Sequence, residues 1–149
     1  MINQKYKLSF EYGNRGYGEL ILFRNDKIID VWWSRTGSCN TENKLVNTID
    51  PHLWYLISSP ELPHESEYEK MAVLDRHGFG WKQRLWPIPC PAEHDPISHF
   101  LIHPDGNLPG TSGCVGIQNS NAIGLFYFFA WYFETHKNTI IGIDIKKAV

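Results

Sequence analysis

Apolar and polar residues alternate from position 6 to position 12 (YKLSFEY), and a period of two marks a half-buried strand. Glycines at 13, 16 and 18 supply a turn region after it. Residues 19–23 and 27–33 repeat the strand signature. Arg24, Asn25 and Asp26 between them read as a hairpin turn, because Asn and Asp tolerate the left-handed backbone. The chain thus opens as a three-stranded meander, in which Trp32 and Trp33 read as sheet-packing residues.

Further along, the alternation gives way to shorter signals. Residues 36–43 are polar and Gly-bearing, which predicts a loop holding Cys39. Residues 52–57 (HLWYLI) read as a buried strand or a short helical turn. Residues 58–68, rich in Pro, Ser and Glu, predict an exposed loop or lid. A short strand fits 71–75. Residues 76–86 (RHGFGWKQRLW) are aromatic and basic. Either they line a groove, with Trp81 or Trp86 stacking on a ligand, or they form a packed loop. Four prolines within 87–96 exclude a helix interior or central strand and predict a stiff connector into a strand at 98–103. Gln118, Asn119 and Ser120 offer capping side chains for a helix at 121–136. That helix is apolar almost all round, so it is expected buried against a sheet. Asn138 fits its stop, and 139–145 (TIIGIDI) a closing strand. The expectation is a mainly β fold with one buried helix in its C-terminal half, in a single domain spanning 1–149.

Composition narrows the partners. At 149 residues with 42% apolar content, a core needs no metal or disulfide staple. Net charge is −2 and no Lys/Arg run occurs, which argues against nucleic acid and anionic membranes as partners. The longest apolar run, 123–133, is short of the roughly 20 residues of a membrane span. The first ten residues lack an apolar signal core, which predicts synthesis in the cytoplasm without a signal peptide. The spacing of Cys39, Cys90 and Cys114 matches no zinc or redox motif. No metal or cofactor is expected.

Residues 99–117 (HFLIHPDGNLPGTSGCVGI) hold the candidate chemistry. An apolar strand ends on His103, a loop of Pro, Asp, Gly and Asn follows, and Cys114 stands in a Gly-flanked turn. A thiol is a strong nucleophile once a histidine takes its proton and later returns it to the leaving group. The intervening loop can fold back to bring imidazole and sulfur together. Gly113 permits a sharp turn, after which the amides of Gly113 and Cys114 are candidate oxyanion donors. His99 shares a strand face with His103 and is a candidate orienting or second titrating group. Asp105, beside a glycine, reads as a turn former rather than a triad acid. The bland alternative is an inert buried cysteine near a hydrogen-bonded histidine.

The pattern Ile102-His103 … Thr111-Ser112-Gly113-Cys114-Val115 resembles the signature of the L,D-transpeptidase catalytic domain of the YkuD type. The meander before it and the helix and strand after it are similar to that family's layout. The resemblance implies a β-sandwich-like fold and acyl transfer on peptidoglycan stem peptides. Cys114 would attack the carbonyl after a meso-diaminopimelate residue, with His103 as base, oriented by the main-chain carbonyl of Pro104. His99, Thr111, Ser112 and Trp81 would lie on the substrate side. The acyl-enzyme would pass to an amine or to water.

Three features depart from typical cell-wall members. The loop from His103 to Cys114 is shorter, Ser112 replaces a frequent histidine, and Gly116 replaces a frequent arginine. With the absent signal they suggest the compact branch among interbacterial type VI secretion effectors. Such a protein would act in the periplasm or cell wall, with an immunity protein and secretion machinery as partners. Papain-like or NlpC-type amidases place cysteine before histidine, the reverse of the order here. A non-enzymatic reading is a wall- or glycan-binding module presenting Trp54, Trp81 and Trp86.

Overall fold

Alternation from residue 6 to residue 33 folds as read. In a computed structural model, which describes residues 1–63, 74–75, 77–87, 100–105, 111–119 and 121–149, β1 (Tyr6–Tyr12), β2 (Tyr17–Arg24) and β3 (Lys27–Cys39) form an antiparallel meander. Asn25 and Asp26 take φ of 51° and 63°, the left-handed pair a tight hairpin requires.

β3 continues to Cys39, through residues that the polar composition marks as loop. A bulge carries it there. The register with its neighbour shifts between Arg35 and Gly37, and Gly37 adopts φ +73°. A Cβ at Gly37 would stand 2.4 Å from the Val46 carbonyl oxygen, so only glycine fits. Thr36 turns inward, where its hydroxyl accepts the Ile49 amide at 2.8 Å. The short β4 (Leu45–Val46) pairs with the end of β3.

Residues 52–57 resolve as a strand, β5 (His52–Leu56). β6 (Gln83–Arg84) and β7 (Trp86–Pro87) follow, separated only by Leu85. β8 (Leu101–Pro104) and β9 (Thr111–Ile117) run parallel to each other, and β10 (Ile141–Lys147) closes the chain. The order across the sheet is β6-β8-β9-β3-β2-β1-β10-β5-β7. Because β6 and β7 are one stretch of chain, the two ends of the sheet meet there and the sheet nearly closes on itself. The last strand lies inside the sheet, parallel to β1 on one side and antiparallel to β5 on the other.

Inside the curve sits the core, including Phe10, Leu20, Trp32, Ile102, Val115, Ile117 and Ile143. Helix α1 (Ala122–Thr135) packs on it through Ala122, Leu125, Phe129 and Tyr132. The helix is buried against the sheet as expected, and its far side leaves Tyr127 and Trp131 62% and 46% exposed. Gln118 and Asn119 do not cap it as expected, and Ser120 lies outside the described residues. Asn119 Oδ1 accepts the Trp33 amide at 2.7 Å, and Gln118 Nε2 donates to Asp105 and to the Gly116 carbonyl. Both tie the helix entry to the sheet. Asn138, at φ +68°, ends the turn after the helix.

Within the expected lid, Glu61 exchanges backbone hydrogen bonds with Lys82, and its carboxylate meets Arg84 at 2.8 Å. This part is anchored, while 64–68 lies outside the described residues. So do 71–73, 88–96 and Cys90. Among the described residues no helix is long and apolar enough to cross a membrane.

Candidate active site

β8 and β9 place the two candidate catalytic residues. Their parallel register sets Ile102 against Val115, His103 against Gly116 and Pro104 against Ile117. Ile102, Val115 and Ile117 point into the core. Alternation therefore turns His103, Cys114 and Gly116 to the outer face. His103 and Cys114 are diagonal neighbours on that face, about 7–8 Å apart at the backbone by strand spacing. Both are buried.

The imidazole is held from one side. His103 Nδ1 lies 2.7 Å from the Pro104 carbonyl oxygen. A carbonyl oxygen only accepts, so Nδ1 carries a proton, and in the neutral ring Nε2 then presents its lone pair. A neutral imidazole in this tautomer is a base at Nε2.

The nucleophile turn is held from the other side. Gly113 takes φ +70°, and a Cβ there would meet the Phe100 ring at 3.4 Å. Its amide donates to the Asn47 carbonyl at 2.7 Å. This corrects the expectation that the Gly113 amide faces a developing oxyanion, because its one proton is engaged by the 47–49 segment. Asn47 itself has φ +59°. The only sequence signal for its role is an Asn after two apolar residues, a position that tolerates the left-handed region.

Asp105 is likewise more than a turn former. It is buried, its amide donates to the Ile117 carbonyl at 2.9 Å, and its Oδ2 accepts Gln118 Nε2 at 3.1 Å. A Cβ on Gly116 would lie 2.7 Å from the Asp105 Cβ. The glycine standing where the resembled family often has arginine is thus demanded by the aspartate above it.

An arginine nevertheless faces this row. Arg35 is the β3 register partner of Gly116, placing it beside His103 and Cys114 on the outer face. Its guanidinium stacks over Tyr17 at 4.8 Å and its Nη2 lies 3.8 Å from Cys39 Sγ. Cys39, expected in a loop, ends a strand as Arg35's neighbour. Among the described residues no carboxylate pairs with Arg35, and its Nε is buried without a partner.

Other expected site residues fall elsewhere. Trp81 is fully buried against Phe126 and Phe129, so its assignment to the substrate side is corrected. Its large apolar ring is core. Trp54 is buried too, which removes the exposed face of Trp54, Trp81 and Trp86 that a binding module needs. His99 lies outside the described residues. Thr111 and Ser112 begin β9, with Thr111 opposite Gly37. Among the described residues, cavities of about 360 and 460 Å³ are lined by neither His103 nor Cys114. No family model, curated protein or solved structure matches this chain.

Proposed function

We propose that this chain is a cysteine-dependent acyltransferase or peptidase of L,D-transpeptidase type, acting on peptidoglycan stem peptides. The observation that carries the reading is the 2.7 Å contact of His103 Nδ1 with the Pro104 carbonyl, on a strand whose register brings the imidazole alongside Cys114. It supports the tautomer in which Nε2 of the neutral ring is the base, oriented by a main-chain carbonyl.

The thiol proton passes to Nε2, and the sulfur attacks the carbonyl carbon by which the meso-diaminopimelate residue is joined to the terminal D-Ala. As the carbon–nitrogen bond breaks, the imidazolium returns the proton to the departing amine, leaving a thioester on Sγ. Water or an amine then attacks the thioester, giving its proton to Nε2, and the sulfur leaves. Water yields the shortened peptide; an amine yields an exchanged or cross-linked one. The substrate class follows from the motif around His103 and Cys114.

The short loop, Ser112 and Gly116 extend the proposal to the compact effector branch. The site of action is then the periplasm or wall of a rival cell, and the partners are secretion machinery and an immunity protein. Purified protein incubated with disaccharide-tetrapeptide, followed by mass, tests the chemistry. Loss of the terminal D-Ala, or its exchange for an added amine, is expected in wild type and absent in Cys114→Ala. An unchanged mass overturns the reading. Tetrapeptide cross-linking with no hydrolysis counts against the effector assignment.

A further inference from the structure

The outer face carries an aromatic pair that the acyl-transfer chemistry does not use. Tyr17 and Trp33 stack at 5.7 Å with their planes 4° apart, and Trp33 is 48% exposed. Together with Ser9, Glu11 and Glu19 they line the cavity of about 460 Å³. Arg35 on the Tyr17 ring holds the stack in place. A flat aromatic face is electronegative and attracts polarised C–H groups. Carboxylates at its edge accept hydrogen bonds from hydroxyls. Aromatic plane and acceptors together suit a pyranose; two carboxylates in the wall disfavour nucleic acid.

The position of the pair bears on the substrate. The Trp33 carbonyl accepts the Gln118 amide, so Trp33 stands level with a residue four beyond Cys114 and one strand over. Tyr17 is the register partner of Arg35, itself the partner of Gly116. At about 3.3 Å per residue and 4.8 Å per strand, the aromatic pair lies roughly 12–14 Å from Cys114. An extended peptide covers that distance in about four residues. A stem peptide separates its sugar from the reacting carbonyl by a similar length.

We propose that Tyr17 and Trp33 form a sugar subsite for the glycan carrying the stem peptide, with Glu11 and Glu19 accepting from its hydroxyls. The proposal rests on the acyl-transfer reading for the identity of the substrate and adds where its glycan end sits. Enzyme with this subsite prefers disaccharide-tetrapeptide over free tetrapeptide.

Two measurements test it. In the first, peptide-free peptidoglycan disaccharide is titrated into Cys114→Ala protein and followed by tryptophan fluorescence and calorimetry, alone and with Trp33→Ala, Trp33→Phe or Glu19→Gln added. Binding is expected, lost with Trp33→Ala, retained with Trp33→Phe and weakened by Glu19→Gln, which leaves the packing in place should Trp33→Ala unfold. In the second, kcat/KM is compared for the two substrates. Wild type is expected to favour the glycosylated one by about tenfold, and Trp33→Ala to erase that preference through KM while free-peptide turnover is unchanged. Absence of disaccharide binding, or a preference that Trp33→Ala leaves intact, overturns the subsite. Trp33-dependent disaccharide binding with no peptide turnover would instead sustain the sugar site and remove the acyl-transfer reading.

Discussion

The two faces of β3, β9 and β8 are built from alternating residues of the same strands, yet they are different materials. The inner face offers Trp32, Ile117, Val115 and Ile102 to one apolar core. The outer face offers Trp33, Arg35, Gly116, Cys114 and His103, a row of groups with lone pairs, charge or exposed rings. Residues one step apart in sequence therefore answer to different constraints. Inner positions are fixed by volume, and their loss costs stability. Outer positions are fixed by reach and hydrogen bonding, and their loss costs chemistry.

Separating the two costs is the strongest test of the comparison. Cys114→Ala removes the sulfur from a buried site and is expected to reduce release or exchange of D-Ala to background. Its melting temperature should stay within a few degrees of wild type, because only one small atom is lost. A large drop in melting temperature would place Cys114 with the inner face and make its volume, rather than its thiol, the reason for its burial.

The inner counterpart is Trp81. Truncation of a fully buried Trp to Ala costs about 3–5 kcal/mol, a large share of a typical domain's 5–15 kcal/mol. Urea or thermal unfolding of Trp81→Ala checks it. Trp81→Phe sharpens the point. The Trp81 Nε1 is buried without a hydrogen-bond partner, and Phe discards that donor while keeping most of the packing. Its cost is expected to be well below that of the alanine variant. Substrate KM that rises in Trp81→Phe with stability unchanged would return Trp81 to the substrate side.

How much of this was legible in the sequence depends on whether neighbours in sequence or in space decide. Alternation in residues 6–12 and Asn25-Asp26 in a hairpin are local signals, and local sterics enforce them. The helix at 121–136 was legible for the same reason. The passage of β3 through Gly37 was hidden, since it depends on Val46 and Ile49 across a bulge. Asn47 was hidden likewise, because its contact with Gly113 spans more than sixty positions. Trp81 was ambiguous because an aromatic beside glycines reads the same in a groove and in a core; only Phe126 and Phe129, on the distant helix, decide it. His103 and Cys114 stood out through the residues around them, whereas Arg35 was invisible until the β3–β9 register set it opposite Gly116.

Gly116 stands on the outer face against Asp105, and its substitution probes that face. Gly116→Ala puts a methyl 2.7 Å from the Asp105 Cβ and 2.8 Å from its Oδ2. Overpacking of this kind costs about 1–3 kcal/mol, measured as a lower midpoint in denaturant. Asp105→Gly in the same chain opens the space, so the double variant should lose less than the two single effects added together. Simple additivity would mean that Asp105 already yields, and that Gly116 is free to carry a side chain.

The smallest effect tests the link between the faces. The Trp33 amide donates to Asn119 Oδ1 at 2.7 Å in an exposed position, next to the bond from the Gln118 amide to the Trp33 carbonyl. Water replaces an exposed acceptor readily, so Asn119→Ala should cost about 0.5–1.5 kcal/mol. At roughly 2–4 °C per kcal/mol for a chain of this size, the melting temperature falls by only a few degrees. Because Trp33 is the outer-face residue anchored there, its ring is expected to loosen while Trp32 beside it stays in the core. Asn119→Ala should then weaken disaccharide binding more than its stability loss alone explains, with D-Ala release from free tetrapeptide unchanged. Equal losses on both substrates would mean that the anchor serves the whole sheet, and that the two faces are coupled at this point.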